Sequence, residues 1–439
     1  MESVAFDLTL IMLFLFTFLA SGMWIQFALY GVALFALMLL GKGGMHGMLG
    51  SLLFNSVSSY SLVAIPLFIF MGEVLIKSES SVPLFRGVQK ILGPFPGGML
   101  HTNIISCSIF AACSGSSTAT TLAIGEVSYP ELTKAGYDRK ITLGSIAGGG
   151  SLGILIPPSI LMIIFGSITG NSVGKLFIGG IIPGIMLAGL FIIWIVIMSF
   201  LKPGLMPKRL PFTKDYPRVV LSAMKDIWPV ILLLLLIMVS IYGGYATPTE
   251  AASVGAIFSI LIVAFVYRRL TFRVITESLR KTVFLTSMMM ICIVSARALG
   301  LALSMLKVPM FLSAYVQSLD ASPYLIWAIL VVIYMLLGCL IDGMDLMLVT
   351  TPVFYPIITK ILGFDPIWFG VTLVILLEMS LLTPPVGFNL FVTHGIGGGG
   401  KLTETIAGVL PFVLIMLVSV AILTLFPSLV TFLPSHMTY

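Results

Sequence analysis

Charge is what this chain has least of. Only 9% of its 439 residues are Asp, Glu, Lys or Arg, against about 25% in ordinary soluble domains. With 59% hydrophobic residues and a mean hydropathy of +1.14, a soluble domain of any size is excluded. Cysteine is scarce too: Cys107, Cys113, Cys292 and Cys339 stand in apolar stretches without zinc or redox spacing and read as small buried hydrophobes. No glycine-rich loop closes on Gly-Lys-Ser/Thr, so the chain is not expected to hydrolyse ATP itself. Residues 1–7 have no basic region, which predicts an uncleaved start rather than a signal peptide. Intramembrane protease motifs are missing as well. Ile341-Asp342-Gly343-Met344-Asp345 does not fit an aspartyl protease, and Ala112-Cys113-Ser114-Gly115 lacks the leading glycine of a serine protease. The expectation is a membrane protein that is not an enzyme.

What the chain has is apolar length. Runs of about 20 residues, enough to cross about 30 Å of hydrocarbon, recur throughout. Crossings are expected near 6–21, 23–41, 58–76, 141–170 and 176–200, then near 228–242, 250–266, 282–305, 367–394 and 405–432. A polar, basic linker at 202–227 divides a first half, 1–201, from a second, 228–439. Two further apolar stretches, 100–128 and 324–354, each carry a polar centre: Ser114-Gly115-Ser116-Ser117-Thr118 and Asp342-Gly343-Met344-Asp345.

The halves repeat each other. Tyr129-Pro130 returns as Tyr355-Pro356, Gly136-Tyr137-Asp138 as Gly363-Phe364-Asp365, and Pro157-Pro158 as Pro384-Pro385. Interrupted hydrophobic segments at matching positions of two halves point to the binding site of a secondary transporter. The basic residues decide how the two ambiguous stretches run. If both are re-entrant hairpins and the linker is cytoplasmic, 18 of the 23 Lys and Arg fall on the cytoplasmic face, as the positive-inside rule requires. Lys42, Lys175, Lys307 and Lys360 fall outside, and Arg297 lies within a crossing. The net charge of +6 is therefore loop charge and not a nucleic-acid surface. Five crossings per half, an odd number, give an all-α polytopic fold of two inverted-topology repeats, each with a hairpin and a Pro-Pro-broken helix, and both termini outside.

Broken backbone inside a bilayer survives only when buried in protein or lining an aqueous cavity. Its free carbonyls suit a hard cation such as Na⁺, and its helix N-termini suit anions. Gly115, Ser116 and Gly343 allow close approach at the tips, and Asp342 and Asp345 put carboxylates in an apolar segment. Each feature has a plainer reading. The clusters at 114–121 and 148–151 also suit tight helix packing. Asp342 and Asp345 also suit an ion pair with Arg297, and Glu378 and Asn389, flanking the second Pro-Pro, suit helix–helix hydrogen bonding. His101 and His394 read as satisfied histidines near membrane ends. Gly93–Gly98 and Gly395–Gly400 are expected as hinges.

Pro96-Gly97-Gly98, Gly115-Ser116, Gly136-Tyr137-Asp138, Ile156-Pro157-Pro158-Ser159, Ala246-Thr247-Pro248-Thr249-Glu250 and Thr383-Pro384-Pro385-Val386-Gly387 together resemble the large membrane subunit of tripartite ATP-independent periplasmic (TRAP) transporters, over nearly the whole chain. The resemblance implies an elevator-type, Na⁺-coupled importer of organic acid anions (C4-dicarboxylates, sugar acids or sulfonates) in the bacterial inner membrane. It implies two partners: a small four-helix membrane subunit, expected on a separate polypeptide, and a periplasmic substrate-binding protein. Carried onto this chain, one Na⁺ site uses Ser114, Gly115 and Ser116 with Gly149 to Ser151. A second uses the tip from Gly338 through Asp342 to Asp345, with Thr383 and Pro384. The anion is expected near Ser116, Ser117, Thr118 and Asn389, with Arg297 a candidate for it. The alternative is a self-sufficient Na⁺/dicarboxylate symporter or anion exchanger that needs no binding protein.

Overall fold

The computed structural model describes residues 2–40, 46–207 and 215–437; Lys42 and the linker cations Lys208, Arg209 and Lys214 lie outside the described residues. No strand occurs among the described residues. The first half comprises α1 (Glu2–Ala20), α2 (Ile25–Phe35), α3 (His46–Val57), α4 (Ala64–Lys77), α5 (Ser81–Leu92), α6 (Met99–Ser114), α7 (Ser117–Lys134), α8 (Arg139–Gly150), α9 (Ile160–Thr169) and α10 (Val173–Leu201). The second comprises α11 (Tyr216–Tyr242), α12 (Pro248–Leu261), α13 (Phe272–Met305), α14 (Val308–Ser318), α15 (Pro323–Gly338), α16 (Gly343–Pro356), α17 (Pro366–Leu382), α18 (Phe388–Ile396), α19 (Leu402–Leu425) and α20 (Ser428–Ser435). Seven helical segments among the described residues are long and apolar enough to cross a membrane.

The repeated Gly-aromatic-Asp motif is punctuation between helices. Gly136 and Gly363 sit at φ +87° and +74°, where a side chain would be strained, and end one helix. Two residues later Asp138 caps the next helix, accepting from the backbone N–H of Lys140 and Ile141 at 2.9 and 3.3 Å. Asp365 does the same for Ile367 and Trp368, at 2.8 and 2.9 Å. The aromatic between them closes a hairpin. Tyr137 Oη accepts from the Met99 amide at 3.0 Å and donates to the Gly97 carbonyl at 3.4 Å, so α6 begins beside the end of α7. Phe364 stacks on Trp368 at 4.6 Å and lies 6.1 Å from Trp327 near the start of α15. Thr247 and Glu250 form a reciprocal capping box that starts α12.

The stretches 100–128 and 324–354 each turn back on themselves, as helix pairs α6/α7 and α15/α16. Both long helices expected to break do so at cis Pro157-Pro158 and cis Pro384-Pro385. Other boundaries differ from the sequence reading. The linker's last part is helical: α11 starts at Tyr216 and packs its first turns on α5, whose Gly87 faces Ile227 and Ala223. α13 starts about ten residues early, its polar opening turns held by Arg273–Glu277 and Lys77–Glu277 ion pairs at 2.7 and 3.3 Å. α3, α5 and α14 were not expected. α5 is amphipathic and too charged to resemble a crossing: Leu84, Phe85 and Val88 are buried, whereas Arg86 and Lys90 are exposed. The single crossing expected at 405–432 is two helices, divided at Phe426-Pro427.

Ion pairs and backbone bonds join the charged loops. Lys90 meets Asp226 at 2.7 Å, Arg269 meets Glu79 at 2.7 Å, and the Asp138 amide donates to Leu205 O at 3.0 Å. Arg139 meets Glu404 at 3.6 Å. One continuous core runs through both hairpins and both broken helices, and a smaller one joins α1 and α2 to the end of α13.

Candidate functional site

The first tip is a three-residue reversal. Ser114 ends α6, Gly115 takes φ +61°, and Ser116 caps α7 by accepting from the Ala119 amide at 3.3 Å. Ser114 Oγ lies 2.7 Å from Thr120 Oγ1, which ties the two arms together one turn below the tip. The first broken helix presses on this hairpin. A Cβ on Gly150 would lie 1.8 Å from Thr121 Oγ1, on Gly149 3.0 Å from Cys107 Sγ, and on Gly153 2.8 Å from Ser117 Cα. Gly148 faces Phe412 of α19. The glycine run is thus a packing notch on three sides, and it is Gly153, beyond it, that meets the tip at Ser116 and Ser117. Ser151 follows α8 in a short 3-10 segment, is fully buried, and donates to Gly148 O at 2.8 Å.

The second tip is built alike and charged differently. Cys339–Asp342 join α15 to α16, and Asp342 caps α16 by accepting from the Met344 amide at 3.1 Å. Gly338 lies so close to α17 that a Cβ there would stand 2.1 Å from Ser380 Cβ, and Gly343 faces Leu377. The broken segment after α17 reaches the tip directly, through Val386 N–H to Cys339 O at 3.1 Å. Thr383 Oγ1 donates to Met379 O at 2.7 Å. Asp345 is 5% exposed, and its Oδ1 has no hydrogen-bond partner. An orphaned buried carboxylate oxygen at a helix break is the donor chemistry a hard cation requires.

Asn389, in the first turn of α18, joins the halves. Its Nδ2 donates to Ser117 Oγ at 3.0 Å and its Oδ1 accepts from Thr118 Oγ1 at 2.9 Å. Four of the expected residues, Ser116, Ser117, Thr118 and Asn389, therefore share one place. Glu378, buried in α17, has both carboxylate oxygens unpartnered within the fold. Arg297 lies elsewhere: its Nη2 donates to the Ser167 carbonyl at 2.6 Å, and it makes no ion pair with Asp342 or Asp345. His394 is held by Thr405 Oγ1 at 3.0 Å, whereas His101 is held by the Pro96 carbonyl through Nε2 alone, its buried Nδ1 having no partner among the described residues. The sequence reading missed Asn103, whose Nδ2 donates to Ser145 Oγ at 2.8 Å across α6 and α8. A lone amide inside an apolar hairpin arm was the available signal. It missed Gly153 too, although Gly153 continues the glycine run. A cavity of about 790 Å³ opens at the base of the first hairpin among Phe95, Glu131, Lys134 and Tyr137, away from both tips.

Interlocked hairpins and broken helices define a transporter-type membrane fold. The YdaH transporter of Alcanivorax borkumensis shares it, with a TM-score of 0.61 at 15% identity over 86% of this chain and 87% of that one. The chain belongs to the tripartite ATP-independent periplasmic transporter family, as its DctM component, whose family model matches residues 11–429. It is 35% identical to the C4-dicarboxylate TRAP transporter large permease protein DctM of Pseudomonas aeruginosa, over 87% of this chain and 88% of that one. It is 32% identical to the 2,3-diketo-L-gulonate TRAP transporter large permease protein YiaN of Escherichia coli, over 86% and 87%. It is 31% identical to the isethionate TRAP transporter permease protein DctMQ of Oleidesulfovibrio alaskensis, over 86% of this chain and 59% of that one. The chain is therefore a multi-pass transporter subunit of the bacterial inner membrane, not an enzyme.

Proposed function

We propose that this subunit imports a small organic acid anion across the inner membrane, driven by Na⁺ bound at both hairpin tips. The observation that carries the reading is the paired construction: each tip meets a Pro-Pro break, and Asn389 of one half closes on Ser117 and Thr118 of the other. Backbone carbonyls and hydroxyls of Ser114, Gly115, Ser116, Gly149 and Ser151 would hold one ion. Asp342, Asp345, Thr383, Pro384 and the end of α15 at Gly338 would hold another. Bound cations supply the positive charge that an anion needs beside the neutral Ser116–Thr118 and Asn389 groups. The relatives' names favour a carboxylate or sulfonate as cargo. DctMQ extends well beyond the part this chain matches, and family membership favours a small membrane subunit as a partner. Family membership favours delivery by a periplasmic binding protein.

The two tips and two breaks form one packed unit, which would carry the site past a scaffold containing α4, α11 and α12. Gly72 of α4 meets the first tip, since a Cβ there would lie 2.8 Å from Ser114 Cα, and a side-chain-free contact of this kind permits sliding. On this reading the basic loops lie inside and both termini outside. The test is uptake of labelled C4-dicarboxylate, sugar acid and sulfonate by proteoliposomes holding the complete complex. Uptake is expected to require Na⁺ with a Hill coefficient above one. Undiminished uptake with choline replacing Na⁺ at fixed pH removes the mechanism.

A further inference from the structure

Arg297 is a half-buried cation with no acidic partner among the described residues. Its Nη2 spends one proton on the Ser167 carbonyl, Nε has no partner, and no Arg297 ion pair occurs among the described residues. A charge within a crossing is retained when something pairs with it or water reaches it. Here the guanidinium lines a cavity of about 330 Å³ between α13, the second arm of hairpin two and the end of α9. No Asp or Glu lines that cavity, and neither do the tip residues. Its remaining polar wall is hydroxyl: Thr169, Ser304, Thr351 and Tyr355. Asn171 Nδ2 donates to Tyr355 Oη at 3.0 Å, which leaves the phenol proton for another acceptor.

One cation, a phenol donor, no carboxylate and room for a few heavy atoms make a receptor for negative oxygen. We infer that this cavity is an oxyanion site, separate from the hairpin tips, that takes a carboxylate, sulfonate or phosphate group on Arg297. A planar guanidinium with spare N–H donors suits such a group better than a point charge does. Arg297 lies about two turns before the end of α13. With the basic loops inside, the cavity is in the outer half of the membrane. Two sources of the same chemistry reach it there: the transported acid on its way to the tips, and the phosphate of an outer-leaflet lipid. Only the first source rests on the importer reading.

The purified full-length chain, stripped of phospholipid in nonionic detergent, is treated with phenylglyoxal, and modification at Arg297 is followed by mass spectrometry against exposed Arg218. Succinate, isethionate or phosphatidylglycerol is expected to slow the Arg297 reaction about tenfold, the value of one charged hydrogen-bonded pair. Choline chloride at equal ionic strength is expected to leave it unchanged. Protection by succinate or isethionate identifies the transported acid as the source, and protection by phosphatidylglycerol alone identifies the lipid. An Arg297 that never reacts, that no oxyanion protects, or that choline chloride protects equally overturns the proposal. If the acid is the source, Arg297→Lys raises KM for uptake while Na⁺ activation stays as in the parent. Loss of Na⁺ dependence would instead strike the importer mechanism, so the two failures are told apart.

Discussion

The tips at 114–118 and 339–345 share one backbone device and differ in charge. Both end a helix at a small residue, restart with a polar N-cap, and press on a Pro-Pro-broken helix through glycine. Residues 114–121 carry no formal charge, whereas the second tip carries Asp342 and Asp345 within four residues. A cation at the first tip must rely on carbonyl and hydroxyl dipoles, and at the second on a carboxylate. In a low-dielectric interior a full charge acts far more strongly on an ion than a dipole does. The two repeats are therefore expected to bind their ions with unequal strength, although their geometry is alike.

The largest effect is expected where the comparison predicts equality. Gly150→Val at the first tip and Gly338→Val at the second each force a branched side chain into space held by Thr121 or Ser380. Overpacking of this kind costs about 1–3 kcal/mol or more. Both variants should lose thermal stability and folded yield by similar amounts, read by fluorescence-detected size-exclusion chromatography after heating. A stable Gly338→Val beside an unfolded Gly150→Val would mean that the second hairpin is not packed as tightly as the first.

Next in size is the effect that should split the tips. Asp345→Asn keeps the volume and removes the buried, unpartnered charge, and is expected to raise the Na⁺ concentration for half-maximal uptake by about tenfold or more. Ser114→Ala removes one hydroxyl that already has Thr120 as its partner. It is expected to shift the same midpoint by only a few-fold. Na⁺ titration of uptake at saturating acid measures both, and equal shifts would remove the inequality.

Much of this was legible in residue order. The repeated motifs and their Pro-Pro pairs marked both breaks because proline cannot continue a helix ladder from within. The basic loops marked the hairpins because charge does not stay in lipid. The tip residues followed from Gly115 and from the acids at 342 and 345. What was not legible has a common cause. α5 is a short amphipathic helix of 12 residues and α14 a mostly uncovered one of 11, and a search for crossings passes over both. The early starts of α11 and α13 are polar helical turns, stabilised by packing and by ion pairs with residues distant in sequence. Arg297 shows the limit most clearly. Its position in a crossing was plain, but only tertiary structure separates it from Asp342 and sets it in a cavity of its own. The glycines at 395–400 were expected as a hinge at the edge of the moving unit. Gly398, Gly399 and Gly400 do hold positive φ, yet Tyr129 donates to Gly397 O at 3.1 Å and Arg139 donates to Gly399 O, so this loop is fastened to the first hairpin's side.

The smallest effect on uptake is expected at the point that joins the tips. Asn389 is fully buried and uses its amide in both directions, donating to Ser117 and accepting from Thr118. Asn389→Asp keeps the shape and the acceptor for Thr118 but replaces the Nδ2 donor with a second acceptor facing Ser117. The Ser117 hydroxyl can rotate to donate instead, but an ionised carboxylate at this buried position costs several kcal/mol of stability unless a bound cation pairs with it. The introduced negative charge, however, stands where the transported anion is expected, and like charges repel across a buried site. KM for the acid should therefore rise several-fold while the Na⁺ midpoint moves little or falls. Asn389→Ala adds no charge but leaves Thr118 without its partner, and should change KM less. If the two substitutions change KM equally, Asn389 holds the halves together without facing the anion, and the cargo binds elsewhere between the tips.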